Sequence, residues 1–161
     1  MNDIKWIKKI PQDIGWYLAG FTDGEGSFNV SLKKDKEYTR KWKLEPSFNV
    51  SQLDVSNLIL FKKVLKTGTL RKRRDGINYY EVRNYRMLWE RVIPFFEKFK
   101  FRSAVKQKNF LIFKKIIILM VSGSHLKPEG IKEIIKLREN LNIGRGRKRK
   151  YSLDTYINSQ S

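Results

Sequence analysis

Residues 17–26 read Tyr-Leu-Ala-Gly-Phe-Thr-Asp-Gly-Glu-Gly, an apolar, small-residue run that ends in two acids, Asp23 and Glu25, parted by one glycine. Gly20 and Gly24 are four apart, so on a helix they share one face. Two glycines on one face let a second backbone approach closely. In a longer oily segment this spacing would suit a membrane dimer. Here the acids end the run, so the spacing predicts helix pairing in water, with Trp16, Gly20 and Gly24 at the contact. Glu25 then falls at the helix C-terminus, where unpaired carbonyls favour a cation. A carboxylate beside open carbonyl oxygens is a hard-oxygen site of the kind Mg²⁺ prefers, with Glu25 and the Gly24 carbonyl as ligands. Mn²⁺ is expected to substitute. Pairing two such helices about a twofold axis brings two of these sites together.

The rest of the chain switches between helical and strand periodicity. A helix is expected from about Pro11–Asp13 to Gly24, since proline suits a first helical turn. Residues 27–34 alternate, with Phe28, Val30 and Leu32 on one side. After a charged turn, 42–51 predicts a second strand, with Phe48 and Val50 on one face and Ser47, Asn49 and Ser51 on the other. Pro46 within it predicts a bulge or an irregular start. Residues 54–66 read as a helix with the stripe Leu58, Phe61 and Leu65, stopped by Gly68. A hairpin follows, 69–74 and 78–85 about a turn at Asp75-Gly76, with Leu70, Tyr80 and Val82 inward. Helices are expected over about 86–100, 103–121 and 128–142, with a short segment at 153–157.

This order predicts one α+β domain over 1–161, with a core at about 11–142 and a basic segment at 143–161. It is an αββαββα unit whose four strands form one antiparallel, saddle-shaped sheet covered by helices on one face. Only one copy of the 17–26 pattern is present. The uncovered face carries Asn29, Ser31, Lys33, Ser47, Asn49, Arg71, Arg73, Tyr79, Glu81 and Arg83. A ribbon of such side chains can enter a DNA major groove.

Charge points the same way. There are 35 Lys and Arg against 16 Asp and Glu, a net +19, which favours polyanions and opposes folding through self-repulsion. The basic residues cluster in 62–91, 98–115 and 144–150, the last reading GRGRKRK. Double-stranded DNA is the expected partner. With no cysteine there is no disulfide, zinc ribbon or thiol nucleophile. The single histidine, His125, excludes a multi-histidine metal site and reads as a loop residue. The N-terminus has no apolar signal core. The longest oily run, 110–121, is broken by Lys114-Lys115 and is too short to span a bilayer, so no membrane partner is expected.

Two further residues stand out. Gln52 ends the second strand in phase with Phe48 and Val50. Lys106 is in phase with Phe110, Phe113 and Ile117, on the apolar stripe of its helix. Lysine is seldom buried without a partner; a snorkelling lysine at a helix end is the plain alternative.

The 17–26 segment closely resembles the motif of LAGLIDADG homing endonucleases, matching at Leu18, Ala19, Gly20, Asp23 and Gly26, with Glu25 in place of the second acid. The resemblance extends over about 15–142 and is closest to single-motif, homodimeric members. It implies a site-specific, metal-dependent DNA endonuclease cutting a long pseudo-palindromic target. It also implies that a strand-end glutamine and a lysine near a later helix start line the cleft beside the metal carboxylates. Phe48-Asn49-Val50-Ser51-Gln52 and Lys106-Gln107-Lys108 match these patterns, so Glu25, Gln52 and Lys106 are the candidate catalytic residues. Such members often carry another basic residue just after the glutamine; Ser56 or Asn57 stands there instead. Asp23, by the same resemblance, supports the helix end rather than binding metal. A non-cleaving module on this scaffold, an intron RNA maturase or a DNA-binding regulator, is the alternative, so intron RNA is a possible partner. A basic ribosome-associated protein would explain the charge but not the motif.

Overall fold

The computed structural model describes residues 4–37, 41–144 and 148–161. Part of the charged turn before residue 42 and the middle of the 144–150 basic run lie outside the described residues. A short helix not foreseen in the sequence, α1 (Lys5–Lys8), precedes α2 (Gln12–Glu25), β1 (Gly26–Lys34) and β2 (Trp42–Gln52). Then come α3 (Ser56–Leu65), β3 (Thr69–Lys72) and β4 (Asn78–Val82). The expected helix over 86–100 is a composite: α4 (Tyr85–Met87), a π-helical turn (Leu88–Val92) and α5 (Ile93–Lys98). The chain continues through α6 (Ala104–Val121), a 3₁₀ turn (Ser124–Leu126), α7 (Pro128–Glu139) and α8 (Leu153–Asn158). Among the described residues no helix is long and apolar enough to cross a membrane.

The four strands form one antiparallel sheet in the order β1-β2-β4-β3. Strand alternation decides its two faces. Phe28, Val30, Leu32, Phe48, Val50, Tyr80 and Val82 are buried on one side, all but Leu32 against the Leu58, Phe61 and Leu65 stripe of α3 and the Phe110, Phe113 and Ile117 stripe of α6. Phe28 is the hub, its ring 5.1–5.9 Å from those of Phe48, Phe96, Phe101, Phe110 and Phe113. Burial pushes the Tyr80 hydroxyl pKa up, and the hydroxyl donates to Thr67 O at 2.9 Å.

Pro46 makes no bulge. The β1–β2 register runs without a slip from Gly26↔Val50 to Lys34↔Trp42 and passes through Val30↔Pro46. Val30 O accepts from the Arg138 guanidinium at 2.7 Å, so it points away from β2, and by ladder geometry the Pro46 nitrogen points away from β1. On that side β4 has already ended, since its pairing stops at Phe48↔Val82. Proline there removes no ladder bond. Nor does Gly68 end α3. Lys66 takes the left-handed capping position, φ 54°, and donates its N–H to Lys62 O.

Residues 148–161 pack into the fold. Tyr156, with Tyr151 and Leu153, closes a second apolar cluster around Leu32, Trp42, Ile131 and Ile135. The Trp42 indole donates to Ser159 Oγ at 2.9 Å.

Candidate active site and nucleic-acid interface

The site forms where α2 runs straight into β1. Gly26 N donates to Thr22 O, the last helical hydrogen bond, so the Gly24 carbonyl lies past the end of the ladder. Only glycine fits at 26, because a Cβ there would lie 2.4 Å from Thr22 Cγ2 and 2.9 Å from Thr22 O. Glu25, the last helical residue, is exposed.

The N-terminus of α6 docks on this corner. Ser103 caps α6, its side chain accepting from Lys106 N at 3.2 Å. Asp23 Oδ2 accepts from Ser103 N at 3.0 Å. One turn into α6, the Lys106 ammonium donates to Gly26 O. Asp23, Ser103, Lys106 and Gly26 thus close a ring that fastens α6 to the α2–β1 junction. Lys106 is half-buried and satisfied, not merely snorkelling. Gln52 is half-buried two residues past Val50, which faces Gly26, so register places it at the same end of the sheet.

The donor set suits a hard divalent cation such as Mg²⁺: the Glu25 carboxylate and the Gly24 carbonyl, both oxygen donors at a helix C-terminus. Asp23 Oδ1 nearby is buried and has no hydrogen-bond partner among the described residues. No group of three or more acidic, histidine or cysteine side chains positioned to hold a metal occurs among them.

Gly20 and Gly24 face open space. No heavy atom lies within 4 Å of where a Cβ would sit on either, whereas a Cβ at Gly15 would overlap the Phe99 ring. Neither glycine is demanded by packing within this chain. Gly20 borders a cleft of 260 Å³ with Trp16, Ala19, Asp23, Lys100 and Arg102. Trp16 meets Phe99 edge-on at 5.5 Å yet stays half exposed.

The sheet's uncovered face carries the expected polar rows. Asn29 pairs with Ser47, Asn49 with Glu81 and Arg71 with Tyr79, while Ser31 and Lys33 extend the β1 row. Arg73 and Arg83 sit just beyond the ends of β3 and β4. Glu81 is on this face but only 9% exposed, with its carboxylate on the Arg83 guanidinium at 2.9 Å. Lys33 pairs with Glu45 at 2.5 Å and Arg73 with Asp75 at 2.6 Å. The Lys33 hydrogen bond, with help from Lys43, holds the Glu45 carboxyl below the usual range, against the effect of burial. Arg71 is exposed and makes no ion pair among the described residues. Sequence reasoning missed Lys43 and Glu45, which extending the alternation back from Ser47 would have found. It also missed Ser103 as the bridge to Asp23; a serine three residues before Lys106 was the available signal.

A profile of the LAGLIDADG endonuclease family matches residues 18–117. Probable intron-encoded endonuclease 2 of Neurospora crassa is 31% identical over 145 residues, 88% of this chain but 32% of its own length. DNA endonuclease I-CeuI of Chlamydomonas moewusii is 36% identical over 116 residues, 68% of this chain and 53% of its own. The chain thus spans between about a third and a half of these two relatives. The archaeal intron-encoded homing endonuclease I-Vdi141I, solved in complex with DNA, superposes with a TM-score of 0.83 at 30% identity, covering 92% of this chain and 95% of that one. With the motif, the sheet and these matches in agreement, the chain belongs to the LAGLIDADG endonuclease family.

Proposed function

We propose that the chain works as a homodimeric, site-specific endonuclease that hydrolyses both strands of a long pseudo-palindromic DNA target with the help of Mg²⁺ or Mn²⁺. One observation carries this reading: the Lys106 ammonium is held on the carbonyl of Gly26, the residue that follows the exposed Glu25, at the end of a sheet whose open face is polar and basic. The end-to-end match to a DNA-bound family member supports DNA as the substrate.

The residues divide the work. Arg71 and its neighbours read base edges in the major groove, where arginine pairs well with guanine. The open Gly20–Gly24 face receives the same face of a second copy. A twofold dimer then reads two half-sites spaced by about one helical turn, roughly 10 bp. Glu25 and the Gly24 carbonyl hold the metal. When bound, the metal supplies an acidified water and neutralises charge on the phosphate. Gln52 orients the attacking water through its amide. Lys106, steered by Gly26 O, stabilises charge developing on the phosphate and leaving oxygen.

A randomised duplex library incubated with the protein and Mg²⁺, with cut ends mapped, identifies the target. Glu25→Gln keeps the side chain's shape but removes its charge. It should bind that target normally in Ca²⁺ and cut it in Mg²⁺ slower by roughly 10²-fold or more. Cutting at near wild-type rate would remove Glu25 from the metal site. Wild-type protein that binds its target but never cuts with any divalent metal would leave a maturase or regulator instead.

A further inference from the structure

Beyond the sheet, a cleft of 860 Å³ lies along the free edge of β1, between Asn29–Lys34, the end of α7 and residues 148–151. Its described lining holds no acid, and Lys34, Lys148 and Lys150 are exposed there. A basic C-terminal run is ordinarily a loose, solvated tail. Here its described end, 148–150, is fastened through Arg149. Arg149 donates to Arg138 O at 3.0 Å, in the last turn of α7, and to Leu141 O just beyond it, a cation at a helix C-terminus. Buried Arg138 reaches from α7 to Val30 O on β1 and, at 2.9 Å, to Tyr151 O. The Glu139 carboxylate accepts from Leu153 N at 2.8 Å. Tyr151 carries the Lys34 and Lys150 ammonium groups at 5.6 and 5.3 Å from its ring centre. Lys34 and Lys150 thus share one ring beside the sheet.

We propose that this cleft binds the sugar-phosphate backbone of duplex DNA that flanks the groove read by the sheet. The inference rests on the nucleic-acid reading of that sheet. Asn29, Ser31 and Lys33 line the cleft and also belong to the outer face, so a duplex lying on the sheet presents the phosphates bordering its major groove to this edge. The described lining is suited to an anion, since it carries six Lys and Arg and no acid. Lys34, Lys148 and Lys150 lie off the outer face and offer exposed ammonium donors, so they add affinity and footprint rather than sequence preference.

The test is the double variant Lys148→Gln/Lys150→Gln, both positions exposed, with binding measured in Ca²⁺ against ionic strength. A non-cognate duplex of about 30 bp is the first probe, because its binding is mostly electrostatic and needs no known target. Each phosphate left without its lysine lowers the salt slope by about 0.9, so the variant should lose roughly tenfold less affinity than wild type between about 50 and 200 mM salt, per subunit. Base preferences on the mapped target should be unchanged. An unchanged slope overturns the cleft and leaves the nuclease reading intact. A lowered slope in a protein that cuts no DNA supports the cleft and removes the nuclease reading. A slope lowered for single-stranded RNA but not for duplex DNA overturns the proposal in favour of RNA.

Discussion

Asp23 illustrates how two acids one residue apart acquire different roles from their surroundings. Glu25 is exposed at the helix end. Asp23 accepts the Ser103 N–H at Oδ2 and so joins the N-terminus of α6, which carries Lys106. On the proposed reading it is therefore a positioning residue. Asp23→Asn retains a carbonyl oxygen for that hydrogen bond and should cut within a few-fold of wild type. Asp23→Ala removes the bond, should lower stability by about 1–2 kcal/mol, and should lower kcat more than it raises KM. If Asp23→Asn were as inactive as Glu25→Gln, Asp23 would be a metal ligand and the ring to α6 incidental.

At the scale of elements, α2 is loaded on two faces. Leu18, Ala19 and Thr22 are buried against this chain, while Gly20, Gly24 and half of Trp16 look outward. Gly20→Leu has room in the isolated chain, so it should fold with a melting temperature close to wild type. It should nonetheless sediment as a monomer and fail to cut, because the added side chain keeps a second α2 from close approach. A dimeric, active Gly20→Leu protein would place the interface elsewhere. The elements themselves were mostly legible, for a physical reason. β1, β2 and α6 each bury one face against one layer, so periods of 2 and 3.6 emerge cleanly at Phe28–Val30–Leu32 and at Phe110–Phe113–Ile117. The corrections fall where tertiary context decides. Whether Pro46 breaks β2 depends on how far β4 extends, and whether Lys66 caps α3 depends on its backbone angle, neither being local to the sequence. Of the candidate site, Glu25 and Lys106 stood out because their residue types conflict with their places in the pattern, and the structure leaves Glu25 exposed and holds Lys106 on Gly26 O. The Asp23–Ser103 bond and the Arg138 and Arg149 clasps join residues far apart in the chain, and no spacing encodes them.

On the scale of the whole molecule, the net charge of +19 acts on folding and binding with opposite signs. Self-repulsion among the basic clusters opposes the compact state, and salt relieves it as the screening length falls to about 10 Å near 0.1 M. The ion pairs that salt also weakens, Lys33–Glu45, Arg73–Asp75 and Arg83–Glu81, each include a basic partner more than half exposed. Exposed pairs of this kind contribute only about 0–1 kcal/mol each, so losing them should not outweigh the relief. The melting temperature of the DNA-free protein should therefore rise between roughly 50 and 500 mM NaCl, while affinity for duplex DNA falls steeply as counterion release loses its advantage. A polyanion such as heparin should raise the melting temperature at low salt, since it binds the folded basic surface, and should lose that effect as salt increases. Calorimetry across a salt series, with and without heparin, checks both trends. A melting temperature that falls with added salt would mean that these ion pairs, rather than the repulsion between clusters, dominate the electrostatics of this fold.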